Sequence, residues 1–163
     1  MKISDLFLVT LKDVYFAERQ VLKALPKMAK AAEAGVLKAA FTDHLEQTRG
    51  QVERLQRVFE ILGKRPAGKT CEAMLGLVQE CEELLADAPT PSAVRDAGLI
   101  ACGQAVEHYE MARYATLIAW AKLQEQDEIA SLLRANLAEE VAADDLLAEV
   151  GETSVLAHAL AEA

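Results

Sequence analysis

The sequence is poor in residues that interrupt helices. It has 8 glycines and 4 prolines in 163 residues, and such sparse punctuation favours long helices over many short strands. Aromatics make up only 5% while apolar residues reach 52%, so Ala and Leu must supply most of the core. Positive charge is in deficit: 17 Lys and Arg stand against 26 Asp and Glu, a net charge of −9. That balance argues against nucleic acid, whose phosphates need a basic footprint, and against an anionic membrane surface. Asp5 and Lys12 interrupt any apolar run at the start, so no secretory leader is expected. The most apolar segment, 97–121, carries Glu107, His108, Glu110 and Arg113 near its centre. A charged residue there costs about 2.5–3.5 kcal/mol in a bilayer, so no membrane span is expected.

Cysteine is scarce too, with Cys71, Cys81 and Cys102 alone. Cys71 and Cys81 fall on one predicted helix, about 15 Å apart along its axis. A disulfide tolerates roughly 7 Å between Cα atoms. The three read as small buried apolar residues in a reducing cytoplasm.

What the chain does have is helical periodicity. Helix A is predicted from Asp5 to Glu33, with Ser4 as its N-cap and Gly35 just past its end. Its stripe is Phe7, Leu11, Val14, Val21/Leu22 and Leu25, and Pro26 should bend it. Helix B covers Val36 to Leu62 and stops at Gly63, with Phe41, Leu45, Val52, Leu55, Phe59 and Leu62 inward. The connector "GKRPAGK" (63–69) precedes a shorter helix from Cys71 to Ala86 capped by Thr70, and "DAPTP" (87–91) follows. Helix C is predicted from Pro91 to Gln124 with Thr90 as N-cap. Helix D runs from an N-cap at Asp127 to about Gly151. The tail 151–163 is expected to be peripheral, and the whole of 1–163 to be one domain. Four long helices with one long B–C crossover imply an all-α, ferritin-like four-helix bundle with a short extra helix in the crossover.

The acids break this apolar pattern. In "CGQAVEHYEMARYATLIAW" (102–120), Glu107 and Glu110 follow the inward line from Gly103 to Tyr114 and Leu117. Glu18 lies between Val14 and Leu22 on helix A. Glu46 flanks Leu45 on helix B, one turn from Arg49. Glu140 and Asp144 follow Leu133 and Leu137 on helix D. Each long helix therefore aims a carboxylate inward, and uncompensated buried carboxylates cost several kcal/mol each on relaxed estimates. Two divalent or trivalent ions bridged by carboxylates would neutralise them compactly. Hard oxygen ligands suit iron or manganese, and open positions would allow oxygen or peroxide chemistry. The competing reading pairs the acids with Lys or Arg in a buried ion network.

Other polar residues read more plainly. His108 points about 100° away from Glu107 and reads as a packing residue. His44, two residues from Glu46, reads as solvated. His158 falls in the tail. Tyr15, Tyr109 and Tyr114 read as core residues with hydroxyls at the rim, and "QECEELLAD" (79–87) as a solvated acidic face.

"DVYFAERQVLKALPKMAKAA" (13–32), "HLEQTRGQVERL" (44–55), "VRDAGLIA" (94–101), "AVEHYEMARYATL" (105–117) and "LAEEVAADDLL" (137–147) together resemble the YciE/YciF family of ferritin-like bacterial stress-response proteins. The resemblance extends to about residue 150 and implies a homodimer distantly related to rubrerythrin. Carried over residue by residue, it implies metal ligands at Glu18, Glu46, Glu107, Glu110 and Glu140, with Asp144 a further candidate. The ferritin-like pattern also has a histidine three residues after the helix B and helix D glutamates. Here those positions are Arg49 and Ala143, and the four-cysteine iron domain of rubrerythrins is absent. Both departures count against peroxidase or ferroxidase turnover. Arg49 is expected to compensate charge where a second metal would otherwise sit, leaving one or two iron or manganese ions or none. A non-enzymatic dimeric bundle with a decayed site, and an iron-storage cage, stay open as alternatives.

Overall fold

A computed structural model describes residues 1–161, and among these there is no strand. The elements are α1 (Ile3–Ala31), α2 (Gly35–Ile61), α3 (Glu72–Asp87), α4 (Ala93–Leu123) and α5 (Asp127–Val150). A π-helical turn, Gly151–Val155, leads into α6, Leu156–Ala161. Val155 is buried and joins the core beside Ile100 and Val150, so this end packs on the bundle. Residues 162 and 163 of the expected tail lie outside the described residues.

The bundle consists of α1, α2, α4 and α5. Tyr114 of α4 bonds Glu18 of α1, while a Cβ on Gly103 would lie 3.9 Å from Met28 Cε, so α1 and α4 are antiparallel. Arg54 of α2 bonds Asn136 and Glu139 of α5, and Arg57 reaches back to Glu128 at 3.2 Å, so that pair is antiparallel as well. The short turn 32–34 folds α2 back antiparallel along α1, so α2 and α4 run the same way, and the chain must return the length of the bundle between them. The 16 residues of α3 cover about 24 Å of that return. They lie outside the four helices, with Met74 and Cys81 buried and Glu82 reaching Lys27 at 2.8 Å.

Local chemistry sets the ends. Gly63 takes φ +63°, and its N–H bonds Glu60 O at 2.9 Å while that of Lys64 bonds Phe59 O at 2.9 Å. This paired capping closes α2 and needs the left-handed conformation that glycine adopts cheaply. Four expected caps are displaced by one to two residues. Lys2, Cys71, Ser92 and Gln126 occupy the cap positions rather than Ser4, Thr70, Thr90 and Asp127; Asp5 Oδ2 takes the Lys2 amide at 2.9 Å and Ser92 Oγ takes the Arg95 amide at 3.1 Å. Gly35 opens α2 instead of closing α1. Asp96, buried on α4, receives the amides of Glu33 at 2.8 Å and Ala34 at 2.7 Å. A carboxylate there satisfies donors at the start of α2 and complements its dipole. Its neighbour Arg95 donates to Pro89 O at 3.0 Å and to Ala31 O, tying the crossover to the α1–α2 elbow.

The core is not one continuous apolar mass. One cluster holds Val21, Leu25, Met28, Leu37, Phe41, Leu99 and Leu147, and another holds Phe7, Leu11, Leu55, Phe59, Leu117 and Leu133. Between them along all four helices lies a buried polar layer: Glu18, His44, Thr48, Gln51, Glu107, Glu110, Asn136 and Glu140.

Candidate metal centre

On each helix the polar residues of the layer are bracketed by apolar residues of the same inward line. On α1, Val14 and Val21 flank Glu18. On α4, Gly103 and Tyr114 flank Glu107 and Glu110, and a Cβ on Gly103 would stand 2.8 Å from Leu147 Cδ1, so α5 lies close against α4 here. On α5 the inward line is Leu133, Asn136, Glu140, Ala143 and Leu147. On α2 it is Phe41, His44, Thr48, Gln51 and Leu55.

Four of the six acids expected at the site converge: Glu18, Glu110 and Glu140 are 0% exposed and Glu107 is 2% exposed. They form two groups of three donors joined at Glu140. His44, Glu107 and Glu140 make one, and Glu18, Glu110 and Glu140 the other, with donor atoms within 4.8 Å of one another in each. His44 Nε2 lies 3.2 Å from Glu107 Oε1 and 3.6 Å from Glu140 Oε2.

Glu46 does not join them. Its side chain is 63% exposed and pairs with Arg49, itself 58% exposed, on the outside of α2. Successive helix positions are 100° apart, and the inward line passes through His44 and Thr48, which turns 46 and 49 to solvent. Arg49 therefore does not compensate the buried acids; it has the exposed partner Glu46 instead. Asp144 stands at the rim, accepting from Gln104 Nε2 at 3.1 Å and meeting His108 Nε2 at 3.0 Å. Ala143, not Asp144, continues the buried line of α5. His108, expected to pack, is instead exposed: its side chain is 64% accessible and meets Asp144 at the rim.

Sequence reasoning missed His44, which is buried rather than solvated, together with Gln51, Asn136 and Arg54. The signal was the spacing 41–44–48–51–55, which keeps one face with polar residues in its middle. Gln47 Oε1 lies 3.1 Å from His44 Nδ1. As an acceptor it holds the ring proton on Nδ1 and leaves the Nε2 lone pair facing the acids. Tyr114 donates to Glu18 Oε1 and accepts from Asn136 Nδ2 at 2.9 Å. Asn136 also donates to Gln51 O at 3.3 Å and accepts from Arg54 Nε.

These bonds leave much of the layer unpaired. With the acids ionised, Glu18 Oε2, Glu107 Oε2 and both oxygens of Glu110 and Glu140 are buried without a hydrogen-bond partner, as are His44 Nε2 and both polar atoms of the Gln51 amide. Loss of hydration raises every one of the four acids. Glu107 moves to about 7, held partly in check by its hydrogen bond with Glu140. Burial lifts Glu140 well above the usual range, and the proton held against Glu107 lifts it further. Burial and then the neighbouring Glu18 and Glu140 raise Glu110. Burial and then Glu140 raise Glu18, against the Tyr114 hydrogen bond. Such groups are protonated, or they are neutralised by cations. Carboxylate oxygens with one imidazole are the donors that hard or borderline ions such as iron and manganese accept.

The chain matches the family described as Domain of unknown function (DUF892) over residues 2–160. Protein YciF of Escherichia coli K12 is 40% identical over 154 residues, covering 94% of this chain and 92% of that protein. The crystal structure of the E. coli stress protein YciF matches with a TM-score of 0.90, over 95% of this chain and 98% of that one. YcfI from Rhodopseudomonas palustris, described as a candidate structural protein, is 46% identical with a TM-score of 0.87, over 91% of this chain and 94% of that one.

Proposed function

The chain belongs to the DUF892 family, and on that premise we propose a metal-binding protein of the bacterial stress response. Iron or manganese would be held at Glu18, His44, Glu107, Glu110 and Glu140. The observation that carries this is the set of six buried carboxylate oxygens without partners, arranged as two donor groups that share Glu140. A cation held there would neutralise several such oxygens at once, and Glu140, common to both donor groups, would serve either of them. A bound iron or manganese ion would supply Lewis acidity and a one-electron couple toward oxygen or peroxide.

The chain's own residues do the rest. Gln47 keeps the proton on His44 Nδ1 so that Nε2 is free to ligate. Tyr114 steadies Glu18 through its hydroxyl, and Asn136, fixed by Arg54, holds Tyr114 in turn. The apolar clusters on either side keep water out and preserve the strength of charge interactions in the layer.

The test is titration of chelator-treated protein with Fe(II) or Mn(II), followed by calorimetry and elemental analysis. We expect saturable binding of one or two ions per chain, lost in Glu140→Gln because both donor groups lose a member. Equal metal content in the variant would refute the assignment. A second reading has support in the raised acids themselves: protonated glutamates can share hydrogen bonds and form a metal-free polar layer in a structural bundle. That reading expects no saturable binding at any pH from 6 to 8. The homodimer that the resemblance implies is proposed with either reading, and light scattering on the full chain checks it.

A further inference from the structure

The buried donors are walled off on most sides, but one cleft leads to them. Between α2 and α5 lies a cavity of about 200 Å³ whose deep side is made by His44 and Glu107 and whose open side carries Asp43 and Gln47. Ala40 and Ala143 are its small walls. One water needs about 10–15 Å³ of such volume, so it has room for a partly hydrated cation. A second cavity touches Glu107 from the other side, between α1, α3 and α4, but holds only about 20 Å³ and is lined by Val21, Ala24, Val78 and Val106. That is room for about one water among side chains that offer an ion no ligands. Glu18 and Glu110 are fully buried and border neither cavity.

We propose that the α2–α5 cleft is the route by which a divalent cation reaches the acids, and that it serves the two donor groups in sequence. The proposal rests on the metal-binding reading above and adds direction to it. A cation drawn toward Asp43 meets the His44 Nε2 lone pair and Glu107 first. The group formed by Glu18, Glu110 and Glu140 lies behind, reached only by passage across the shared Glu140. The route stays open because position 143, three residues from Glu140 on the same face, holds alanine. A large side chain there would fill the cleft without removing a single donor atom.

The probe is Co(II), whose visible absorption reports binding without redox chemistry, mixed by stopped flow with chelator-treated full-length protein. Ala143→Phe should slow loading by about tenfold or more, since passage then waits on local opening of the helix pair. Its final cobalt content should equal that of the unaltered protein. Ala24→Leu, which fills the opposite cavity, should load at the unaltered rate. If Ala143→Phe does not fold, Ala40→Leu on the facing wall makes the same test. The unaltered protein should load in two successive phases. Normal loading in the cleft variant, slowed loading in Ala24→Leu, or a single phase filling both groups together would each overturn the route while leaving the metal site standing. Absence of cobalt binding in the unaltered protein would overturn the metal reading itself, and the route with it.

Discussion

Raising the pH from 5 to 8 should destabilise the metal-free protein, against the ordinary behaviour of an acidic chain. Burial holds Glu107 at about 7, from an ordinary value of 4.5. Between those values the folded state binds a proton that the unfolded chain has released. Stability is therefore complete below pH 4.5 and is lost as pH rises through the folded value. Integrated from pH 5 to pH 8, Glu107 alone accounts for about 2–3 kcal/mol. Glu18, Glu110 and Glu140 are displaced in the same direction, so the observed loss should be at least that large. Ordinary surface carboxylates are already ionised over this interval and contribute little to the slope. The assay is urea unfolding of chelator-treated protein at constant ionic strength, at pH 5, 6, 7 and 8. Glu107→Gln should flatten the dependence by roughly the amount assigned to Glu107. Metal-loaded protein should respond the other way, since ions bind the deprotonated donors and affinity grows with pH. A metal-free stability that is flat or rising between pH 5 and 8 would refute the argument from burial.

Other consequences are simpler to check. His44→Ala should sharply reduce metal content by elemental analysis, while Glu46→Ala, on the solvent face of α2, should leave it unchanged. Arg49→Ala should shift urea stability by less than about 1 kcal/mol, the usual worth of an exposed ion pair. Asn136→Leu should cost on the order of 3 kcal/mol in the same assay, because the Tyr114 hydroxyl, Gln51 carbonyl and Arg54 Nε all lose a partner. Cys102 is half-buried and its thiol is lowered by a hydrogen bond from Cys81, whose own thiol is raised. Mass spectrometry should find Cys102 alkylated ahead of Cys71 and Cys81, and Cys81→Ala should slow that reaction.

The fold was legible because its signals are redundant. Each long helix repeats its apolar stripe over seven or eight turns, so an error of one residue at either end does not change the element. The long B–C link and the short helix inside it fixed the connectivity, since parallel α2 and α4 need a return path. The caps were less legible because several adjacent residues could each serve. Ser92 and Thr90 are both competent, and the choice fell to Ser92 because α4 begins at Ala93, past Pro91.

The buried acids were legible on α1 and α4, and on α5 at Glu140 but not at Asp144, which stands at the rim; α2 was misread for a geometric reason. On α1, α4 and α5 the acids sit among apolar neighbours whose phase is unambiguous, and Glu18, Glu107, Glu110 and Glu140 all turned inward. On α2 the stripe loses its apolar members where it meets the site: His44, Thr48 and Gln51 replace them between Phe41 and Leu55. A count of apolar residues alone then favours Leu45 and Val52, one position on, and a one-residue shift turns the face by 100°. That shift brought Glu46 and Arg49 inward on paper and sent His44 to solvent. The phase of α2 is set by its partners across the bundle. Glu107 and Glu140 stand at one end of the layer, and what α2 sets against them is the His44 imidazole, its Nε2 3.2 and 3.6 Å from their oxygens. A further carboxylate at that place would have deepened the repulsion among the acids, and an arginine would have filled the cleft lined by Ala40 and Ala143.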